Sequence, residues 1–247
     1  MKRGTIFIVI VLMLLIGMTG CMSESSSQEA ILTYLEEKYD EKFEVEAFKE
    51  GSDTFKQMYG ADKIIVHPEG KPEHVFLAGE DRDHEGEYYD NYVLSIWSDE
   101  LTRHYEKEIN NILLERNYEV RLNILDEKSD SSDMDKSIFD YLKDNKDVWL
   151  ILNVAIKTSE GPNINQYNKQ ILNLLKLIEG TGVKDVTVSV GFVNESTKIV
   201  DYIRTSAVNN IQWSNLVGDV YGAVTVDTLH NIHKPEHVNQ YYEGFEE

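Results

Sequence analysis

Residues 148–156 read VWLILNVAI and form the most apolar run of the chain beyond residue 21. Strands that are covered on both faces are typically short, near-continuous apolar runs of this kind. We therefore expect Val148–Ile156 to be a central strand of a β-sheet, with the rest of the fold arranged around it.

The segments on either side of this strand alternate between strand and helix patterns. They are a strand over 118–125, a helix over 134–143, a helix after Pro162, a strand over 186–192 and a strand over 198–204. The order predicts an α+β fold, with a β-α-β-α-β-β layer whose helices pack on one face.

The first half of the chain predicts a smaller module. A helix over 28–39 ends at Asp40, and short apolar segments separated by turn residues follow it, the last over Tyr88–Trp97. This pattern predicts an N-terminal helix plus an antiparallel meander. Ser98 or Asp99 would then cap a helix that runs to Arg116.

The composition excludes several classes of protein. The 247 residues include 24 Lys and Arg against 44 Asp and Glu, a net charge of −20, and 41% are hydrophobic. This is a globular composition, and its acidic sign excludes the basic surface of a nucleic-acid-binding protein. The single cysteine excludes a disulfide framework and a cysteine-based zinc ribbon.

The N-terminus has the layout of a secretory signal. Lys2 and Arg3 precede the apolar run Ile6–Ile16, which is shorter than the roughly 20 residues of a membrane span. The following Met18-Thr19-Gly20-Cys21 resembles the lipobox of bacterial lipoproteins, with Met18 in the place of the usual leucine. The resemblance implies that a diacylglyceryl group is attached to Cys21 and that the chain is cleaved before it.

Such an anchor predicts the location of the protein. Two acyl chains hold a protein stably on a bilayer, whereas one chain binds marginally. The Ser-rich stretch Ser23–Ser27 is typical of a flexible tether. Because an acidic body is repelled by anionic headgroups, we expect membrane contact through the lipid alone, on the extracytoplasmic face of the cell membrane. A protein partner in the cell envelope is left open.

These patterns divide the chain into six segments. They are a signal peptide (1–20), a lipidated cysteine with its tether (21–27), the helix-plus-meander module (28–98), a connecting helix (99–116), an α+β module (117–230) and an acidic aromatic tail (231–247). Two domains and one merged domain are both compatible with this length.

The first module is similar to small helix-plus-meander modules of extracytoplasmic lipoproteins from Gram-positive bacteria. The similarity is carried by Tyr34–Tyr39, Phe43–Val45 and Asp90–Tyr92. It implies a fold and a location, and it implies no catalytic residues.

An acidic stretch in this module resembles the start of an EF-hand calcium loop. Its carboxylates are Asp81, Asp83, Glu85 and Glu87. Gly86 takes the position of the sharp turn, but Tyr92 stands where the loop needs a bidentate glutamate. Calcium binding and a solvated acidic hairpin loop are both left open.

Three histidines near the C-terminus are the second candidate metal site. His230, His233 and His237 are spaced by three and four residues, which on a helix would place them on one face, as in many zinc sites. Pro235 lies among them and would break such a helix. Zinc binding and surface histidines in an irregular segment are both left open.

The sequence contains no familiar catalytic motif. A nucleophile elbow, an HExxH motif, a P-loop and a dinucleotide-binding glycine pattern are all absent. We therefore expect a protein that is not an enzyme, a binding or envelope-structural module. The alternative is a lipoprotein that captures or senses calcium or zinc, and a hydrolase with scattered site residues is a third hypothesis. Trp97, Trp149 and Trp213 lie in or beside apolar segments and are expected to be in the core or semi-buried, and not to stack on a ligand.

Overall fold

The structure, a computed structural model, describes residues 27–51, 60–84, 86–113, 117–209, 211–216 and 220–245. The predicted signal peptide, Cys21 and most of the tether lie outside these residues, as does Glu85. The described residues form an α+β fold with two β-sheets. None of the helices in this part of the chain combines the length and apolarity needed to cross a membrane.

The first module is a helix packed on an antiparallel sheet. Its elements are α1 (Ser27–Tyr39), β1 (Phe43–Lys49), β2 (Lys63–Pro68), β3 (Phe76–Glu80) and β4 (Tyr88–Asp90). The four strands pair in sequence order, so the predicted meander is confirmed. Ile31 and Leu35 of α1 pack on Ile64 and Phe76 of the sheet, and Asp40, with φ +52°, ends the helix.

The next helix, α2 (Tyr92–Leu113), begins earlier than predicted. The strand expected over Tyr88–Trp97 is therefore wrong beyond Asp90, and Ser98 and Asp99 are not caps. The Asp90 carboxylate accepts a hydrogen bond from the Tyr92 N–H (3.1 Å) and so caps the helix. Ser98 is buried within α2, where its hydroxyl donates to the Leu94 carbonyl (2.7 Å).

Helix α2 belongs to both hydrophobic cores. Tyr92, in its first turn, packs in the core of the first module. Trp97, Leu101 and Ile109 are fully buried in the core of the second module. The two modules therefore share a helix and contact each other along it.

The second module is built on a five-stranded sheet. Its strands are β5 (Tyr118–Leu125), β6 (Trp149–Thr158), β7 (Asp185–Asn194), β8 (Val220–Asp227) and β9 (Tyr242–Gly244), which pair in that order. β6 and β7 are parallel, and the other pairs are antiparallel. The run that predicted a central strand forms β6, an interior strand between β5 and β7.

Three helices cover one face of this sheet. They are α2, α3 (Ile138–Asp144) and α4 (Asn168–Glu179). All three pack on side chains that alternate along the strands, among them Leu152, Val188 and Val224. The predicted packing of the helices on one face is confirmed for these three.

A further helix, α5 (Val200–Arg204), lies on the opposite face. The strand predicted over Lys198–Arg204 is wrong. Ile199 and Ile203 are spaced by four residues, and both are buried in one small apolar cluster with Ala155 of β6. On a helix this spacing brings the two side chains to within about 6 Å of each other, whereas a strand would hold them about 13 Å apart.

The C-terminal segment is part of the second module. β9 pairs with β8, and Val238 is fully buried in the main core, so described residues of the predicted tail pack with this module. β9 is the short edge strand of the sheet. The aromatic pattern of the tail supplies packing residues, since Tyr241 and Tyr242 pack against the same core.

Candidate functional site

The described residues only partly cover the face of the second sheet that turns away from α2 and α4. α5 and Trp213 pack over one end of it, and the remainder forms a groove of about 790 Å³. The floor of this groove comes from the strands, and residues between α5 and β8 form a wall. The floor includes Trp149, Ile151, Asn153, Thr187, Ser189 and Thr225. We call it the open-face groove.

A row of polar side chains crosses the middle of this floor. Asn153 of β6 is the direct partner of Ser189 of β7, and Ser189 is the direct partner of Thr225 of β8. Neighbouring strands lie about 4.8 Å apart, so the row spans about 10 Å. Side chains in such a row point to the same side of the sheet and are presented together to a bound molecule.

Trp149 lies at one end of the groove and is 44% exposed. Its indole N–H donates a hydrogen bond to the Thr187 hydroxyl (2.9 Å) on the neighbouring strand. Its direct partner on β5 is Leu125, which is also exposed. The hydrogen bond fixes the ring and uses its one donor, so Trp149 offers the groove an apolar aromatic surface.

Trp213 forms the other end of the groove and is 7% exposed. Its indole N–H donates to the Ser189 hydroxyl (2.9 Å), and its ring packs against Tyr202, with 4.9 Å between the ring centroids. Burial raises the pKa of Tyr202 to about 12. The Tyr202 hydroxyl donates to the Ile211 carbonyl (2.9 Å), which holds the wall to α5.

Replacing Gly191 with alanine is expected to destabilise the protein and to displace Trp213. A Cβ at Gly191 would lie 2.3–2.5 Å from atoms of the Trp213 ring. Overpacking of this kind costs about 1–3 kcal/mol of unfolding free energy, which urea denaturation measures. Gly161→Ala is the control, since its added Cβ would meet nothing within 4 Å. Equal stability of the two variants would contradict this packing.

The groove lining is polar and nearly uncharged. Among the described side chains that line it, Glu243 is the one carboxylate, and no lysine, arginine or histidine is present. Serine hydroxyls are present, but the described lining gives them no histidine that could act as a base. The lining therefore offers hydrogen-bonding and apolar groups to a bound molecule.

One end of the polar row continues under α5 to a buried arginine. Arg121 is the direct partner of Asn153, is 6% exposed and lies outside the groove lining. Its Nε donates to the Asn123 side-chain oxygen (3.1 Å), and Asn123 donates to the Ser206 hydroxyl (2.8 Å). Burial lowers the pKa of Arg121 below its usual range. This chain of contacts ties β5 to the segment after α5.

The predicted calcium loop is a hydrogen-bonded turn in the structure. The Asp81 carboxylate accepts the N–H groups of Asp83 (2.7 Å) and His84 (2.9 Å), and the hydrogen bond from Asp83 is the largest cause that lowers the pKa of Asp81. Gly86 has φ +80°, as a turn requires. Tyr92, at the position of the missing bidentate ligand, is buried in the core.

The three C-terminal histidines do not share a helix face. His230 ends one 3₁₀ segment (Thr228–His230), His237 lies in another (Pro235–Tyr241), and His233 lies between the two. The His230 ring stacks on Tyr241, with 4.1 Å between centroids. Across the described parts of the chain, no three His, Cys, Asp or Glu side chains are placed to hold one metal ion.

A histidine–aspartate pair lies at the junction of the two modules. His74 Nε2 is 3.3 Å from the Asp99 carboxylate, which also pairs with Arg103 (2.6 Å). Burial alone would raise the pKa of Asp99, but the His74 hydrogen bond and the Arg103 charge lower it overall. The nearby Ser95 hydroxyl donates to the Tyr92 and His74 carbonyls and not to the imidazole. The pair therefore lacks the geometry of a hydrolase site.

The sequence did not indicate the open-face groove. Trp97 and Trp213 are buried as expected, whereas Trp149 is more exposed than the core or semi-buried position expected for it. A usable signal was Asn153 in the middle of an apolar run. It shares the odd-numbered face of β6 with Trp149, and a polar residue within a buried strand marks a face that is not fully covered.

No protein-family model matches this chain, and no curated protein matches it. Its fold is similar to that of a DUF5037 family protein from Ruminococcus gnavus ATCC 29149, known from a crystal structure. The TM-score is 0.53 at 16% sequence identity, and the match covers 86% of this chain and 97% of that chain. At this identity the similarity concerns the fold alone.

Proposed function

We propose that this protein is a lipid-anchored extracytoplasmic binding module that is not an enzyme, with the open-face groove as its binding surface. The observation that carries the proposal is the groove itself. It is a preformed concave site with exposed apolar surface and a few convergent polar groups, as ligand sites typically are.

The lipid anchor in this proposal rests on residues 2–21. The order of positive charge, apolar run, small residues and a single cysteine at Cys21 supports it. Removal of residues 1–20 would take away Lys2 and Arg3 and leave all 44 acidic side chains in the mature chain. An acidic body on a Ser-rich tether would stand away from the anionic membrane surface, with its groove free to meet a ligand.

The absence of catalysis in this proposal rests on the groove lining. A general base or nucleophile needs a second group that activates or orients it. Glu243 is exposed on the edge strand β9, and the described lining gives it no such partner. Turnover of any substrate by the purified protein, abolished by Glu243→Gln, would contradict this part.

The binding surface is tested by thermal unfolding in the presence of envelope material. We expect a soluble extract of mechanically disrupted cell envelopes to raise the Tm of the full chain by about 2–4 °C. A ligand at a few times its Kd stabilises the folded state by about 1 kcal/mol, which gives a Tm shift of this size for a protein of this length. The Trp149→Ala variant should lose most of this shift, because its indole forms the exposed end of the groove.

Leu229→Ala is the matched control for this measurement. Leu229 is a more exposed apolar side chain outside the groove lining, so its removal should leave the shift unchanged. A wild-type Tm that is the same with extract and with dialysis buffer would contradict the proposed function.

A further inference from the structure

The open-face groove is polar without being charged, in a chain whose net charge is −20. Glu243 is the one charged side chain among the described residues of its lining, and it lies on the edge strand. A cation site would direct several carboxylates at its ligand, and an anion site would direct arginine or lysine. The lining therefore fits an uncharged ligand.

The groove also holds hydrogen-bonding groups that the protein leaves unused. Asn153 and Thr225 lie on the floor, and Gln212 and Ser214 lie on the wall. The side chains of all four have no hydrogen-bond partner among the described residues, whereas Thr187 and Ser189 accept the indole N–H groups. Amides and hydroxyls both donate and accept, so this set matches a ligand that carries many hydroxyl groups.

Trp149 adds a requirement for an apolar ligand surface. The hydrogen bond to Thr187 uses the indole donor, so the exposed part of the ring can contribute only its π surface. That surface is electron-rich and attracts the weakly positive hydrogens of C–H groups. A pyranose ring combines a C–H face of this kind with a rim of hydroxyls.

The sheet topology argues against a peptide bound as an added strand. Peptide addition needs the unpaired backbone of a sheet edge. The groove lies on the sheet face, and its central floor strands β6, β7 and β8 are each paired on both sides. Their backbone groups are therefore already used, and recognition has to come from side chains.

The dimensions of the groove admit an extended ligand. Trp149 and Asn153, the first and last residues of β6 that line the groove, are four residues apart, which is about 13 Å along a strand. The volume of about 790 Å³ lies within the usual range for ligand sites. A short run of sugar rings placed end to end would lie along the floor.

We propose that the open-face groove binds an uncharged oligosaccharide, with a sugar ring stacked on Trp149 and hydroxyls bonded to Asn153 and Thr225. This inference rests on the proposed function, because it names the ligand class of the same groove.

The test uses ¹⁹F NMR of the full chain, purified in detergent micelles and labelled with 5-fluorotryptophan. The chain has three tryptophans and therefore gives three ¹⁹F signals. Replacing one tryptophan removes one signal and so assigns it. Trp97 is fully buried and donates to the Lys136 carbonyl (2.8 Å), which makes it an internal reference. The probes are chitohexaose, cellohexaose and maltohexaose, beside hexagalacturonic acid and a capped hexapeptide of glycine, serine and alanine.

We expect at least one neutral oligosaccharide to shift the Trp149 signal saturably and to leave the Trp97 signal in place. Hexagalacturonic acid should bind at least tenfold more weakly, because its carboxylates meet an acidic protein without a cationic partner in the groove. Trp149→Ala should weaken binding about tenfold, as expected for the loss of one aromatic contact. Asn153→Asp, which keeps the size and adds a charge, should weaken it similarly, and Leu229→Ala should not.

The remaining outcomes separate this inference from the proposed function. A Trp149 shift with the peptide and with no neutral oligosaccharide would overturn the ligand class and leave a binding groove in place. If no probe shifts the Trp149 signal but envelope extract still raises the Tm in a Trp149-dependent way, the ligand class is likewise overturned and the binding groove remains. No shift and no Tm rise would overturn both proposals.

Discussion

Replacing Asp90 with alanine is expected to lower the free energy of unfolding by about 3 kcal/mol. The Asp90 side chain is 2% exposed, yet it carries a carboxylate at the meeting point of α1, β4 and α2. Four groups donate hydrogen bonds to it at 2.7–3.1 Å, and they belong to Tyr34, Lys38, Tyr39 and Tyr92. The substitution would remove the one acceptor that all four donors share, at a site where Tyr34 and Tyr39 are half-buried and Lys38 is partly exposed.

The pKa shifts around Asp90 agree with this network. Burial raises the pKa of Tyr39 above its usual range, and the neighbouring carboxylate raises it further. Burial alone would lower the pKa of Lys38, but its hydrogen bonds to Asp90 and Tyr34 raise it overall. The carboxylate thus holds one ammonium and two neutral phenols around it.

Urea denaturation measures the effect of Asp90→Ala, with Asp140→Ala as the control. Asp140 also pairs with a lysine, Lys143, at 2.6 Å, but both side chains are well exposed. Such a surface pair contributes at most about 1 kcal/mol. Similar unfolding free energies for the two variants would contradict the structural role assigned to Asp90.

The Cys21→Ser variant is expected to carry no lipid at all, the largest change that a single substitution can cause here. A serine hydroxyl cannot form the thioether that the lipobox resemblance implies. Each buried CH₂ contributes about 0.8 kcal/mol to membrane binding, so two acyl chains give stable attachment and their loss removes it. Metabolic labelling with palmitate, followed by isolation of the protein, measures the incorporation.

Ser25→Ala is the control for this labelling, because it alters the same tether without touching the cysteine. It should incorporate palmitate as the wild type does. Equal labelling of the wild type and Cys21→Ser would show that any lipid is attached elsewhere.

The elements predicted well are those whose burial is periodic in sequence. β5 has the predicted bounds. The sequence predicts β6 and β7 because their inner faces are continuous rows of apolar side chains. α4 was identified because its apolar residues recur every three to four positions. In these segments local pattern and tertiary packing favour the same structure.

The elements predicted wrongly are those in which tertiary contacts override local pattern. Tyr88–Trp97 is rich in aromatic and β-branched residues, which favours a strand, but Asp90 caps a helix that buries Tyr92 and Trp97 in two different cores. The segment 198–204 is so short that its helix and strand patterns are nearly indistinguishable in sequence. The packing of Ile199 and Ile203 in the same apolar cluster decides for the helix.

The candidate site could not be predicted because it is a property of the sheet order. Asn153, Ser189 and Thr225 are separated by more than thirty residues each in sequence, and only the pairing of β6, β7 and β8 aligns them. For the two candidate metal sites, sequence spacing did not predict how the described side chains are placed. Asp81 turns its carboxylate to its own backbone neighbours, and the histidines fall on separate 3₁₀ segments.

The lipid anchor is tested most directly by the intact mass of the protein isolated from its native membrane fraction. We predict the mass of residues 21–247 plus a diacylglyceryl group, with or without a further acyl chain on the new N-terminus. An unmodified full-length chain, or a chain cleaved at another position, would contradict the anchor and the extracytoplasmic location proposed from it.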